Sequence, residues 1–544
     1  MSNPFATASL ENLYRIFTVP EGADSALGEV DREISENLAQ FLQQRIVAQE
    51  MPLEEIEQDF SSPHIPDHPH FVSDYTEFLL DKLVAQSVHT TAPGFIGHMA
   101  TPLPYFMLPL ARIMTALNQN LVKIETSKAF TPLERQVIAM LHHLIYKGDE
   151  NFYERWMHDA GHALGVFCSG GTIANLTALW VARNQMFVPA KDFAGISRAG
   201  LPAALEHHGY RGLAVLVSQR GHYSLGKAMD VLGLGRDALV IIDTDADNCI
   251  DTAKLNARCR ELTEQNIGLL AIVGIAGTTE TGSVDPLDEL AEIASAHNCY
   301  FHVDAAWGGP TLFSKNQRLL LKGIERADSV TIDAHKQLYV PMGTGMVMFR
   351  DPAAVATVEH HAEYVLRRGS KDLGAHTLEG SRPGMAMLVH AGLHIFGRRG
   401  YEILIDRNIE RAAEFAELID AHEDFELITA PTLNILTYRY VPASVQAYLA
   451  QAEASKRREV NSILDEVTRQ IQKLQRAAGK TFVSRTRLTP RRYAGDAISV
   501  FRAVLANPLT DGDILAAVLA EQVEIAHGSE LRALMPRLRD EIAS

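Results

Sequence analysis

The stretch Ser329-Val-Thr-Ile-Asp-Ala-His-Lys336 is a β-branched, apolar run that ends in an acid, a histidine and a lysine. Upstream lies a second run of the same kind, Tyr300-Phe-His-Val-Asp-Ala-Ala-Trp307, which reaches an acid at Asp304. Short runs of this type recur from about residue 160 to 350: Leu213–Ser218, Leu239–Asp243, Leu269–Ile275, Tyr300–Val303, Val330–Ile332 and Met346–Phe349. Most gaps between them, such as Pro286–His297, are long enough for a helix. Strands alternating with helices predict an α/β fold with a mainly parallel sheet covered on both faces.

In open sheets of this kind, ligands sit beyond the carboxyl ends of the strands. Chemically capable residues fall there repeatedly. His222 follows the run 213–218, Thr278 follows 269–275, Asp304 ends 300–303, and His335 and Lys336 follow 330–332. A lysine just past an apolar strand is placed to be a desolvated amine nucleophile. A carboxylate beside a pyridine nitrogen favours the protonated ring, which accepts a carbanion's electrons. Pyridoxal 5′-phosphate (PLP) asks a protein for both. Lys336 is therefore expected to form the Schiff base and Asp304 to hold the ring nitrogen. Taken singly, Lys336 also reads as a surface lysine and Asp304 as a turn or capping residue. Their order and context together favour the chemical reading.

Ser169-Gly-Gly-Thr172 precedes a helix expected from about Ile173. Glycines let backbone approach an anion, and a helix N-terminus offers free N–H groups and a positive dipole end. The segment reads as a phosphate cradle, and on its own equally as a plain strand-to-helix turn. His222, in Gly221-His-Tyr-Ser224, is placed either to stack on a flat ring or to cap the next helix. Ala305 and Ala306 are small enough for a ring to lie close to the backbone.

With 544 residues, the chain is long enough for two or three domains. Apolar residues make up 47% and charged residues 22%, as in ordinary globular proteins. A net charge of −17 without a long basic run argues against nucleic acid as a partner. The four cysteines, Cys168, Cys249, Cys259 and Cys299, show no C-x-x-C spacing. Neither a disulfide framework nor a metal site is expected, and a reducing cytoplasm fits. The first residues lack the pattern of a signal peptide. The apolar stretch from Met99 to Leu117 is interrupted by Pro102, Pro104, Pro109 and Arg112, so no membrane span is expected.

Residues 1–90 read as helical, with polar faces over Val30–Glu50 and Ser73–Gln86, and Thr131-Pro-Leu-Glu134 reads as a capped helix start. Beyond about residue 400, helices near 401–420 and 455–477 and strands near 432–440 and 498–505 suggest a smaller α+β domain. The expected division is a helical N-terminal segment (1–125), a large PLP-binding domain (126–400) and a small C-terminal domain (401–544).

Ser169-Gly-Gly-Thr-Ile-Ala-Asn175, Gly221-His-Tyr-Ser224, Gly277-Thr-Thr-Glu-Thr-Gly282, His302-Val-Asp-Ala-Ala-Trp307 and Asp333-Ala-His-Lys336 together resemble the group II PLP-dependent amino-acid decarboxylases. The resemblance runs from about Pro93 to Pro508 and is greatest to the bacterial pyridoxal-dependent aspartate 1-decarboxylases. It implies a PLP-dependent transferase of fold type I and a homodimer with active sites at the interface. By motif position, Lys336 is the Schiff-base lysine and Asp304 the pyridinium partner. His222 and Ala306 lie on the two ring faces, Gly171 and Thr172 bind phosphate with help from His335, and Thr278 lies near the ring substituents. The catalytic set it implies is Lys336, His222 and Asp304.

Phe501-Arg-Ala-Val-Leu-Ala-Asn-Pro508 is similar to the family segment whose arginine holds the substrate's α-carboxylate, which points to Arg502. Gly94-Phe-Ile-Gly-His-Met-Ala-Thr101 is similar to the segment that contacts a distal carboxylate in glutamate decarboxylases, which points to His98. One departure stands out. The family's mobile loop carries a proton-donating tyrosine, but Arg367-Arg-Gly-Ser-Lys-Asp-Leu-Gly374 has none, with Tyr364 just upstream and His376 just downstream. The expected reaction is decarboxylation of L-aspartate to β-alanine. The alternatives are L-glutamate to γ-aminobutyrate and an inactive dimeric relative.

Overall fold

The computed structural model describes residues 28, 29, 32, 51–362, 369–532 and 534–543. The expected helix over Val30–Glu50 falls almost wholly outside these residues, as do Tyr364, Arg367 and Arg368. The chain forms two compact units, each discontinuous in sequence. One takes residues 1–98, 440–485 and 509–544, and the other residues 99–439 and 486–508. Residues 401–544 are therefore shared between both units.

The larger unit is built on seven strands: β1 (Gly165–Cys168), β2 (Gly212–Ser218), β3 (Leu239–Ile242), β4 (Ile267–Ile275), β5 (Tyr300–Asp304), β6 (Ser329–Asp333) and β7 (Gly345–Phe349). Their order is β1-β7-β6-β5-β4-β2-β3. The strands from β2 to β6 pair in parallel. β7 runs antiparallel to both β6 and β1. Two reversals restore the direction, so β1 points the same way as β6. The outgoing ends of β1, β2, β4, β5 and β6 consequently share one edge of the sheet.

These strands are apolar because both faces are covered. Val330 and Ile332 of β6, Val303 of β5 and Val217 of β2 are essentially inaccessible. Each such side chain contributes roughly 1.5–3 kcal/mol of burial free energy. Six of the seven strands match the expected runs. β1 is the addition, a four-residue strand too short to stand out in the sequence.

Helix α1 (Phe130–Tyr146) packs against β1, and two helices matter for the site: α2 (Gly171–Met186) and α3 (Ser224–Val231). α1 begins a residue earlier than its expected cap. Thr131 lies inside it, and its hydroxyl meets Ser127 Oγ at 2.6 Å instead of capping the first turn. α2 starts at Gly171 directly after the glycine turn, and no side chain caps it.

A smaller antiparallel arrangement in the same unit holds β8 (Phe425–Thr429), β9 (Ile435–Tyr440) and β10 (Ile498–Val504). β10 pairs with β9, setting Arg502 opposite Thr437. In the other unit, helices Ala454–Ala478 and Gly512–His527 pack on one another.

Candidate active site at the carboxyl edge of the sheet

The turns leaving β1, β2, β4, β5 and β6 surround a cavity of 380 Å³. Gly171, Thr172, His222, Asp304, Ala306, His335 and Lys336 all line it. Seven of the site residues expected from the sequence thus meet on one wall system, although they come from four separate segments.

Asp304 ends β5, only 7% exposed. Its Oδ1 accepts the Ala306 N–H at 3.1 Å, and its Oδ2 accepts Asn175 Nδ2 at 2.7 Å. Asn175 Oδ1 is in turn 3.1 Å from His302 Nε2, and His302 Nδ1 is 2.8 Å from Ser329 Oγ. These contacts assign the protons. Asn175 donates through Nδ2, so its Oδ1 accepts from His302 Nε2–H. Burial holds the His302 imidazole down at about 4, against a rise from Asp304, so it is neutral. Its Nδ1 then accepts from the Ser329 hydroxyl. His302 and Asp304 are two apart on one strand, and the two-residue period puts both on the same face. The relay fixes the carboxylate's orientation within a buried layer.

Lys336 sits in the turn after β6. Its side chain is 19% exposed, and its Nζ lies 3.2 Å from Asp333 Oδ2. Its carbonyl accepts the Thr101 hydroxyl at 2.9 Å, which pins the turn. His335 Nδ1 donates to the Thr344 carbonyl at 2.9 Å, leaving Nε2 3.6 Å from the same Asp333 oxygen. Asp333 Oδ1 is buried without a partner. The sequence reading passed over this acid, although its place beside His335 and Lys336 was the available clue.

His222 Nδ1 accepts the Ser224 N–H at 3.3 Å and lies 2.9 Å from Ser224 Oγ, so the start of α3 locks the ring's orientation. Burial lowers the affinity of the ring for a proton, with Asp304 opposing. Thr278 is not itself among the residues that line the cavity. It is fully buried, with its hydroxyl 2.7 Å from Thr281 Oγ1 and accepting the Ser283 N–H at 3.1 Å. Gly277 and Thr279, on either side, line the cavity. Arg502 is buried on β10; burial presses its guanidinium down to about 10, and Glu280 opposes this, so it stays cationic at neutral pH. His98 belongs to the other compact unit, where its ring lies 5.5 Å from that of Phe482 and 5.9 Å from that of Phe95. His376 is buried with Nε2 3.7 Å from Glu359 Oε1, and burial holds it down at about 4.

Residues 52–441 match the model of the pyridoxal-dependent decarboxylase conserved domain. The chain belongs to the pyridoxal-dependent decarboxylase family. Over 529 residues it is 60% identical to an aspartate 1-decarboxylase of Aliivibrio fischeri, covering 97% of each chain. It is 29% identical over 374 residues to the acidic amino acid decarboxylase GADL1 of Bos taurus, covering 67% of this chain and 66% of that one. The fold matches the crystal structure of mouse CSAD with a TM-score of 0.79 at 24% identity, over 92% of this chain and 98% of that one.

The cavity of this pyridoxal-dependent decarboxylase fits its cofactor. It has the size of an ordinary small-molecule pocket. Its glycines have a steric reason: a Cβ on Gly171 would lie 2.9 Å from Asp333 Oδ2 and 3.3 Å from Ala306 Cβ. The uncapped start of α2 offers N–H donors to a phosphate. The orphaned Asp333 Oδ1 leaves an acceptor on the wall. We expect Gly171→Ala to cost about 1–3 kcal/mol in packing strain. That should appear as weaker PLP retention on dialysis and a lower melting temperature, and a variant equal to wild type in both would contradict the cradle's tight fit.

Proposed function

We propose that this enzyme decarboxylates L-aspartate to β-alanine and carbon dioxide, with Lys336, Asp304 and His222 as its catalytic residues. The observation that carries the substrate is the 60% identity, end to end, with a relative named aspartate 1-decarboxylase. The convergence of Lys336, Asp304 and the glycine turn on one cavity supports the chemistry.

Bound PLP supplies the electron sink that accepts the bonding pair as carbon dioxide leaves. The chain's own residues do the rest. Lys336 Nζ, on the cavity wall, would hold the cofactor covalently through its aldehyde. Asp304 would face the ring nitrogen and favour its protonated form. His222 and Ala306 would bound the ring's faces. Gly171, Thr172 and His335 would hold the phosphate. Thr278 would act at the ring substituents from behind the wall, through its hold on the 277–282 turn. Arg502 would take the α-carboxylate, a task suited to a planar guanidinium. That grip would orient the substrate for loss of this carboxylate, so it would act on the transition state rather than on affinity alone.

The exposed apolar residues Tyr105, Ile113, Leu117 and Ile395 support a homodimer, since such surface commonly marks an interface. Among the described residues no helix is long and apolar enough to cross a membrane. A cytoplasmic setting accords with the chain's four unpaired cysteines.

The test is competition between L-aspartate and L-glutamate at equal concentration, with products resolved by chromatography. β-Alanine is expected to dominate. One methylene is worth about 1–3 kcal/mol of discrimination, so a preference of roughly 10- to 200-fold is expected. Dominant γ-aminobutyrate would assign the enzyme to glutamate instead.

A further inference from the structure

Arg220 occupies the turn between β2 and α3, two residues before His222. Its backbone N–H donates to Ser218 Oγ at 3.2 Å, and its Nη2 donates to Asn248 Oδ1 at 3.0 Å. Its Nε is buried without an acceptor, and the side chain lines the cavity beside His222, Thr279 and Lys336. Such an arrangement is costly for a cation. The side chain is half-buried, and a guanidinium so placed prefers a carboxylate in bidentate contact, whereas Asn248 supplies a single neutral acceptor. Glu280, whose charge favours that of Arg220, forms no ion pair with it among the described residues, and its own Oε2 is buried without a partner.

The other basic groups on the cavity wall are committed. Among the described lining residues these are Lys336, His222 and His335. Lys336 faces Asp333 and is assigned to the cofactor. His335 is bonded to the Thr344 carbonyl, and His222 is held by Ser224. An acidic substrate brings two carboxylates, and Arg502 is assigned the one that leaves.

We propose that Arg220 is the specificity-determining residue that binds the side-chain carboxylate of the substrate. Asn248 holds the guanidinium in place from behind, and Glu280 sets the local field. Burial works against the charge of both Arg220 and Arg502, and Glu280 favours the charge of both. This inference rests on the reading of the enzyme as an acidic amino-acid decarboxylase.

The test compares wild-type holoenzyme with Arg220→Gln and Arg220→Lys. Four quantities are measured: kcat and KM for L-aspartate, inhibition by succinate, which carries two carboxylates, and inhibition by butyrate, which carries one. In Arg220→Gln, loss of a charged hydrogen-bond pair should lower kcat/KM for L-aspartate by about 100-fold, mostly through KM. The succinate inhibition constant should rise by at least about tenfold while that of butyrate stays within twofold. Arg220→Lys should recover part of both losses. An Arg220→Gln enzyme that keeps its kcat/KM, or that loses succinate and butyrate equally, overturns the proposal. If that variant fails to retain PLP, Asn248→Asp decides the matter. It places a competing anion against the guanidinium, and a roughly tenfold weaker succinate affinity is expected, whereas an unchanged one overturns the proposal. Failure of the underlying reading looks different: wild-type enzyme itself would turn over neither aspartate nor glutamate and would not prefer succinate to butyrate.

Discussion

Lys336→Ala is expected to reduce carbon dioxide release from L-aspartate by roughly 10⁴- to 10⁶-fold, the scale seen when a covalent catalyst is removed. The amine stands on the cavity wall with its Nζ 3.2 Å from Asp333 Oδ2, so it is held in place before any ligand arrives. Among the described residues lining the cavity it is the lysine present, and no neighbour can take over its bond to the cofactor. The chemical readout is independent of turnover. Borohydride treatment of the wild-type holoenzyme should fix the cofactor's mass to the peptide containing Lys336, and the variant should show no such adduct. A variant that keeps its rate within tenfold of wild type, or an adduct mapped to a different lysine, would remove Lys336 from the centre of the chemistry.

Asp304→Asn should lower kcat by about 10²- to 10³-fold, comparable to losing one preorganised electrostatic contact in an active site. The substitution keeps the shape and removes the charge that favours a protonated ring. It also disturbs the relay behind the residue. Asn175 already donates through Nδ2, so the new amide must turn its oxygen toward Asn175 and its donors elsewhere. The variant should fold and retain PLP, because the phosphate turn and Lys336 are untouched. Steady-state kcat and the absorption spectrum of the bound cofactor check both halves of this expectation. Wild-type kcat in a folded Asp304→Asn holoenzyme would show that the carboxylate does not face the ring.

Much of the fold was legible because a covered parallel sheet writes itself as apolar runs. β6 and β7 are buried at every position, so the runs around Val330–Ile332 and Met346–Phe349 stand out. β1 spans four residues and is flanked by glycines, so it left little pattern. The strands Phe425–Thr429 and Ser484–Leu488 escaped for another reason: they are partly exposed, and the second alternates with Arg485 and Arg487. Thr131 misled as a cap because its hydroxyl is taken by Ser127, a contact no capping pattern encodes. The C-terminal stretch was read as one continuous domain, whereas β10 pairs with β9 in the larger unit and the long helix Ala454–Ala478 lies in the other.

At the site, strand ends betrayed Asp304, His335 and Lys336, since position along a strand is local information. The support beneath them was not local. Asn175 meets Asp304 and His302 across 129 and 127 residues of chain, and no spacing rule predicts such a meeting. Arg220 was overlooked because a single arginine beside a histidine motif has no signature until the cavity wall is seen.

β7 has a consequence for how the enzyme can change. It intervenes between β1 and β6, so the glycine turn and Lys336 issue from strands two spacings apart, about 9–10 Å across the sheet. Asp304 issues from the next strand over, roughly one further spacing of about 5 Å. The backbone ladder thus acts as a ruler graduated in peptide hydrogen bonds, and side-chain replacement in the core cannot lengthen it. Evolution of new substrates on this frame is then confined to the turns that project past the ruler's marks, while the grip on the coenzyme is inherited unchanged.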